Sequence, residues 1–191
     1  MEITGYKKIT NNKWLNLYDI TYTGKNGQSK TWEVVSRKAA PKCITGDFDP
    51  PDAVVIVPFH RLERKLVVIR EYRVALGGCE YALPAGLIDA GESVASASRR
   101  ELKEETGLEL VEIRKISPIL NGTAGMTDEN FVMVYCDCQG VVSAAGNEGT
   151  ETIETILVSP GEAAGLLMER DAKFDVKLWL ELSRFAERND R

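Results

Sequence analysis

The sequence predicts an α/β fold in which a mixed sheet lies between helices, preceded by an N-terminal β-hairpin region. Three observations carry that prediction. Strand-like runs are interrupted by a single acidic helix, two further helical runs close the chain, and aromatic and β-branched segments flank an Asn-Gly turn near the start. Periodicity alone leaves the strand order open. At 191 residues the chain suits one sizeable core and is short for two full domains. The expected organisation is a hairpin region with linker over 1–50 and a main domain over 51–191.

Trp14 to Tyr22 and Lys30 to Arg37 read as the hairpin strands around Gly24-Lys25-Asn26-Gly27. Ala39 to Asp52, with Pro41, Gly46, Pro50 and Pro51, reads as a linker. A lone hairpin cannot bury both its faces, so it is expected to pack on the domain or on a second subunit. Ala53 to Pro58 and Lys65 to Arg70 read as paired buried strands, and the polar turn between them places His60 at the surface. Gly77-Gly78 then opens a loop, and Tyr81 to Leu83 extends into the segment that carries the chemistry.

Ser93 to Thr106 has good helix formers, no proline and a Gly107 stop. At 100° per residue, Glu101, Glu104 and Glu105 fall on one arc, with Ala95, Ser98 and Leu102 on a neighbouring, less polar face. Three carboxylates so placed repel one another, and a divalent cation reverses that sign. Hard oxygen ligands on a rigid element suit Mg²⁺, with Mn²⁺ as a substitute. Arg100 lies beside Glu104 in projection and is placed to neutralise or orient a carboxylate. A solvated acidic face is the ordinary explanation of such a helix; the full spacing around it argues against that. Ahead of the helix, Leu83-Pro84-Ala85-Gly86 gives a proline-fixed approach and Gly91 permits a second tight bend.

Beyond the helix, Val111 to Ile119 and Asn130 to Cys138 read as strands separated by the polar loop Asn121 to Glu129. Gly140 to Thr150 reads as another loop and Glu151 to Val158 as a strand. Ser159-Pro160-Gly161-Glu162 has the form of a capping box that opens a short helix. Phe174 to Glu187 carries Phe174, Leu178, Leu182 and Phe185 at helical spacing, and Trp179 on that helix is expected in the core.

The stretch Gly86, five residues, Glu92, seven residues, then Arg100-Glu101-Leu102-x-Glu104-Glu105-x-Gly107-Leu108 resembles the complete signature of the Nudix family. The family's hydrolases cleave a diphosphate linked to another moiety. Asn12-Lys13-Trp14, Thr31 to Arg37, Arg70-Glu71-Tyr72-Arg73 and Leu83 to Gly86 are similar to its ADP-ribose or ADP-sugar pyrophosphatase branch. The resemblance implies a Nudix-type α/β/α sandwich and a metal site formed by the Ala85 carbonyl with Glu101, Glu104 and Glu105. It implies a homodimer in which the hairpin is exchanged. It gives Trp14 and Trp32 the adenine, Glu33 and Arg37 the base or linker, and Arg73 a phosphate, with Gly125 and Met126 also against substrate. The base that activates water falls, by family position, on Glu151, with Glu148 and Glu154 as competitors. One departure concerns Ala124, which stands where members that prefer ADP-ribose carry proline. ADP-glucose and GDP-mannose therefore stay open as substrates beside ADP-ribose, as does a Nudix-fold regulator that binds a nucleotide without cleaving it.

Composition narrows the remaining classes. A net charge of −5 argues against a protein that coats nucleic acid, and against capped RNA as a substrate. No apolar run approaches membrane-spanning length and nothing near the start resembles a signal peptide, so a cytoplasmic protein is expected. Cys43, Cys79, Cys136 and Cys138 form no Cys-x-x-Cys pair, and His60 is the single histidine, which disfavours a structural zinc site. Reduced, mostly buried thiols are expected.

Overall fold

The computed structural model describes residues 1–146 and 152–187. In chain order the elements are β1 (Glu2–Lys8), β2 (Asn16–Thr23), β3 (Ser29–Ser36), α1 (Lys42–Thr45), β4 (Ala53–His60), β5 (Lys65–Arg73), β6 (Gly78–Ala82) and β7 (Ala85–Leu87). They continue with α2 (Val94–Thr106), β8 (Glu109–Ile116), β9 (Leu120–Asn121), β10 (Asn130–Gln139), β11 (Ile153–Val158), α3 (Pro160–Leu167) and α4 (Val176–Ala186). The chain divides into two compact units: Met1–Ala53 with Ile119–Phe131, and Val54–Pro118 with Val132–Arg191.

In the first unit β1, β2 and β3 form an antiparallel three-stranded sheet. The expected hairpin is its β2–β3 pair, closed by the Gly27 N–H donating to the Gly24 carbonyl. β1 was not expected from the sequence, because its almost wholly exposed residues give no burial signal. Tyr18 is fully buried, and its hydroxyl donates to the carbonyls of Lys38 and Ala39. The supposed linker Ala39 to Asp52 contains α1 and anchors a buried charge. Lys42, 1% exposed, donates through Nζ to Asn130 Oδ1 at 2.8 Å and pairs with Asp52 Oδ2 at 2.5 Å. An ammonium can be held inside only because both acceptors are fixed there.

The second unit is built on a sheet ordered β11-β5-β4-β10-β8, with β6 beside β5 and β7 beside β4. The expected α/β class with a mixed sheet and helices is found. The buried runs Val54 to Val57 and Leu66 to Ile69 occupy central strands, which explains why they read as continuous apolar stretches rather than alternating ones. α3 opens with the expected capping box, in which Ser159 Oγ accepts from the Glu162 N–H and the Glu162 carboxylate accepts from the Ser159 N–H. α4 buries Leu178, Leu182 and Phe185.

Three expectations are corrected here. His60 is 2% exposed at the end of β4. Its Nδ1 accepts from the Glu63 N–H and its Nε2 faces the Gly140 carbonyl at 3.1 Å, so a neutral ring with Nε2 protonated satisfies both nitrogens inside. Trp179 is 47% exposed, because the buried stripe of α4 passes one position away at Leu178. Of the cysteines only Cys136 and Cys138 are buried, where burial pushes both thiols up to about 12, while Cys43 is exposed and Cys79 half-buried.

Candidate active site

α2 begins where Ser93 Oγ accepts from the Ser96 N–H and ends where Gly107, at φ 74°, donates its N–H to the Lys103 carbonyl. It buries Ala97, Ser98, Leu102, Glu105 and Thr106, so the buried face is shifted from the one expected, with Ala95 only half-buried. Fixing that face fixes where the glutamates stand.

Arg100 is the hub. Its Nε and Nη2 donate to Glu92 Oε1 and Oε2 at 3.1 and 2.8 Å. Nη1 donates to Glu101 Oε1 at 2.7 Å and to Glu104 Oε2 at 3.3 Å, and Nη2 also reaches the Leu87 carbonyl at 3.0 Å. The guanidinium fork suits this, since its donors lie in one plane and reach several acceptors together. The Arg100 hydrogen bonds hold Glu92 at about 2, well below its ordinary 4.5, and the surrounding carboxylates raise Arg100 in turn. Glu92 is further fixed by the Asp89 N–H, which donates to its Oε2.

The loop before the helix meets the other two carboxylates. The Ala85 N–H donates to Glu105 Oε2 at 3.2 Å. Gly86 is packed so closely against Glu101 that a methyl group on its Cα would fall within the carboxylate. Glycine is required here because the acidic head occupies the place of a side chain. Thr155 Oγ1 donates to the Glu105 carbonyl at 3.2 Å and ties the end of α2 to β11.

Sequence spacing placed Glu101, Glu104 and Glu105 on one patch; the structure separates them more finely. Glu101 and Glu104 meet through Arg100, whereas Glu105, 9% exposed, turns to Ala85. Among the described residues no three His, Cys, Asp or Glu side chains already form a metal-holding cluster. An interposed guanidinium relieves the repulsion that bare carboxylates would suffer. The donor set nevertheless fits a hard divalent cation: carboxylate oxygens on a capped helix, with the Gly86 cradle leaving room for one of them. Glu92 as the anchor of Arg100 escaped sequence reasoning, since the two are eight residues apart across a turn and share no helical face.

The remaining candidates are placed as follows. In the first unit Trp32 Nε1 donates to the Gly125 carbonyl at 3.0 Å, and Trp32, Glu33 and Gly125 line one open recess with Asp19 and Thr31. Met126 is 64% exposed, and its carbonyl accepts from the Val35 N–H. Arg37 pairs with Glu129 at 2.6 Å. Trp14 does not line that recess; its ring lies under Lys13 Nζ at 4.3 Å. In the second unit Arg73 is held by Glu71 at 2.9 Å and Glu80 at 3.2 Å. Glu154 pairs with Arg70 at 3.7 Å. Glu148 and Glu151 lie outside the described residues.

Such a fold, with a capped helix presenting glutamates to a glycine-shaped loop, defines a carboxylate site suited to phosphate chemistry through a hard cation. The NUDIX domain model matches residues 49–180, and the chain belongs to the Nudix family. Nudix hydrolases generally depend on a divalent metal ion. The ADP-ribose pyrophosphatase of Saccharomyces cerevisiae is 31% identical over 135 residues, which is 70% of this chain and 57% of that one. The GDP-mannose pyrophosphatase of Citrobacter koseri is 29% identical over 170 residues, covering 84% of this chain and 82% of that one. A crystal structure of an ADP compounds hydrolase superposes with a TM-score of 0.69 at 22% identity, over 90% of this chain and 85% of the other, and at that identity it speaks for the fold alone. The chain spans little more than half the length of the yeast relative. Among the described residues no helix is long and apolar enough to cross a membrane.

Proposed function

We propose that the protein hydrolyses the diphosphate of a nucleoside diphosphate sugar, with ADP-ribose cleaved to AMP and ribose 5-phosphate as the leading case. The observation that carries this is the Arg100 hub, which holds Glu101 and Glu104 in place beside the Gly86 loop. A divalent ion, Mg²⁺ or in its place Mn²⁺, held by Glu101, Glu104, Glu105 and the Ala85 carbonyl, would offset the diphosphate's negative charge and favour departure of a phosphate. Arg100 keeps Glu101 and Glu104 oriented before substrate arrives. Glu151 takes the proton of the attacking water; a new P–O bond forms and the bridging P–O bond breaks, leaving two monophosphates. Trp32 and Trp14 present flat faces to a purine, Glu33, Arg37, Gly125 and Met126 contact base or linker, and Arg73 meets a phosphate. The domain division at residue 50, a homodimer with exchanged hairpins and a cytoplasmic location complete the reading.

The test is chromatography of nucleotide products from ADP-ribose, ADP-glucose and GDP-mannose with Mg²⁺. AMP chiefly from ADP-ribose is expected, and would show that Ala124 does not abolish that preference. Turnover of GDP-mannose alone would move the substrate towards that of the Citrobacter koseri relative. Tight binding with no product from any of the three would instead make the protein a nucleotide-binding regulator.

A further inference from the structure

The polar loop between β9 and β10 is fastened to β3 and α1 within the first unit, at two depths. The outer fastenings face solvent. Trp32, 51% exposed, donates its Nε1–H to the Gly125 carbonyl at 3.0 Å, the Val35 N–H donates to the Met126 carbonyl at 2.8 Å, and Arg37 pairs with Glu129 at 2.6 Å. Val35 and Thr127 form one isolated bridge, so no ladder secures the loop there.

The inner fastening is a single side chain, Asp128. Its Oδ2 accepts from Ser36 Oγ at 2.9 Å and from the Lys42 N–H at 2.8 Å. Ser36 is fully buried and Lys42 nearly so, which keeps water from competing for either donor. Ser36 Oγ accepts in turn from the Lys38 N–H at 3.1 Å, leaving its own proton for Asp128. Two residues on, Asn130 Oδ1 accepts from Lys42 Nζ at 2.8 Å. Lys42 therefore holds this stretch twice, by its backbone at residue 128 and by its side chain at residue 130.

Between the two depths lies a turn closed on itself. The Thr123 carbonyl accepts from the N–H groups of Met126 and Thr127 at 2.9 and 3.0 Å, so residues 123–127 move as one piece. Gly125 has no packing to fix it, since an added Cβ would meet nothing within 4 Å. Hydrogen bonds to a carboxylate are roughly twice as strong as neutral ones, and a low local dielectric strengthens them further. The placement of the turn is therefore set from Asp128, its inner neighbour.

We propose that Asp128 is a positioning residue of the Trp32 recess: through the turn it sets the Gly125 carbonyl, and through that carbonyl the plane of the Trp32 ring. The placement of Trp32 follows from these contacts alone; the consequence for substrate rests on the proposed contact between Trp32 and a purine. Without the Asp128 bonds the turn samples other positions, and only a fraction of molecules keeps the recess formed. Apparent affinity falls by that fraction, while saturating substrate draws the population back and leaves kcat unchanged.

The experiment compares Asp128→Ala with Asp128→Asn in the ¹⁵N-labelled full chain. Its three tryptophans give three indole N–H signals, and Trp32→Phe identifies the one that matters. In Asp128→Ala the Trp32 signal should shift and its proton should exchange with water about tenfold faster, while the Trp14 and Trp179 signals stay in place. Asparagine keeps an oxygen able to accept from both donors, so Asp128→Asn should restore the signal. With ADP-ribose and Mg²⁺, KM should rise about tenfold in Asp128→Ala at a kcat within about twofold of wild type, and Asp128→Asn should lie near wild type. An unmoved Trp32 signal in Asp128→Ala, even with a lower melting temperature, would overturn the proposal, as would an Asn variant no better than Ala. A displaced Trp32 signal with unchanged KM would leave Asp128 its hold on Trp32 and remove Trp32 from the substrate site. If no nucleotide sugar is turned over, the indole signals decide the role of Asp128 by themselves.

Discussion

Two charge clusters in the second unit are near mirror images in sign. At Arg100 a single guanidinium is shared among Glu92, Glu101 and Glu104; at Asp137 a single carboxylate is shared between Arg61 and Arg114. Each arrangement depresses one acid, Glu92 to about 2 and Asp137 below its usual range. They differ in what is left over. Around Arg100 the excess is negative and sits on a half-exposed Glu104, which invites a cation. Around Asp137 the two guanidiniums are matched by Asp137 and by Glu112, which pairs with Arg61 Nη2 at 2.6 Å, and the acid is sealed, so little is left over to bind. Pairing orders a cluster, and the unpaired remainder decides what it can bind.

Removing part of the negative remainder should give the largest effect. Glu104→Gln keeps the shape and deletes one charge, and turnover of ADP-ribose should fall by about two to three orders of magnitude. Glu104 is half-exposed, so the melting temperature should hardly move. Product assays beside thermal unfolding would check both, and full activity in a folded variant would remove Glu104 from the proposed metal site.

Next in size is Gly86→Ala, which leaves every charge in place and disturbs only geometry. The added methyl competes with the Glu101 carboxylate, so that head must move by about 1 Å or more, and turnover should drop by about a hundredfold. Gly165→Ala on α3, whose added methyl would meet nothing within 4 Å, is the control. Equal activity of both variants with wild type would show that the Gly86 contact does not position Glu101.

How far these clusters were legible depends on whether their contacts are local. The helix, its Ser93 and Gly107 caps and the Arg100–Glu104 pair follow from spacing within one segment, as does the Ser159 capping box. Nothing in the spacing announced Glu92 as the holder of Arg100, because a turn intervenes. His60 misled for a related reason. A polar residue beside a turn reads as exposed, yet its partners are the Glu63 N–H and the Gly140 carbonyl, the latter eighty positions away. Asp137 looked like one polar residue in a strand; Arg61 and Arg114, which permit its burial, come from other elements. The fold class was legible because alternation and capping are written locally, while strand order and buried charge depend on residues that meet only after folding.

Acid sharpens the comparison through stability. Glu92 has a folded pKa of about 2 against an ordinary 4.5. A depressed acid stabilises the fold fully above its unfolded value, and that contribution is lost as pH falls from 4.5 towards 2. Arg100→Ala should therefore lower the melting temperature at pH 7, and its gap from wild type should close across that window. Glu162, held at about 2 chiefly by Ser159, loses its contribution in the same window in both proteins, so some acid sensitivity should survive in the variant. Unfolding scans at several pH values would decide it, and a gap independent of pH would mean that Arg100 acts by packing alone.

The smallest effect is expected from Arg114→Ala. Arg61 Nε still donates to Asp137 Oδ2 at 2.7 Å, so the buried acid keeps one cation. Arg114 itself is 61% exposed, so water and salt already share its charge. The melting temperature should fall less than for Arg100→Ala, and the deficit should shrink in 1 M salt, where the Debye length is about 3 Å. Arg61→Ala with Arg114→Ala should cost more than the two single changes added, because only the double variant strands a carboxylate that has no exposure. Strict additivity would show that Asp137 does not depend on sharing, and with that the symmetry between the two clusters would fail at its buried end.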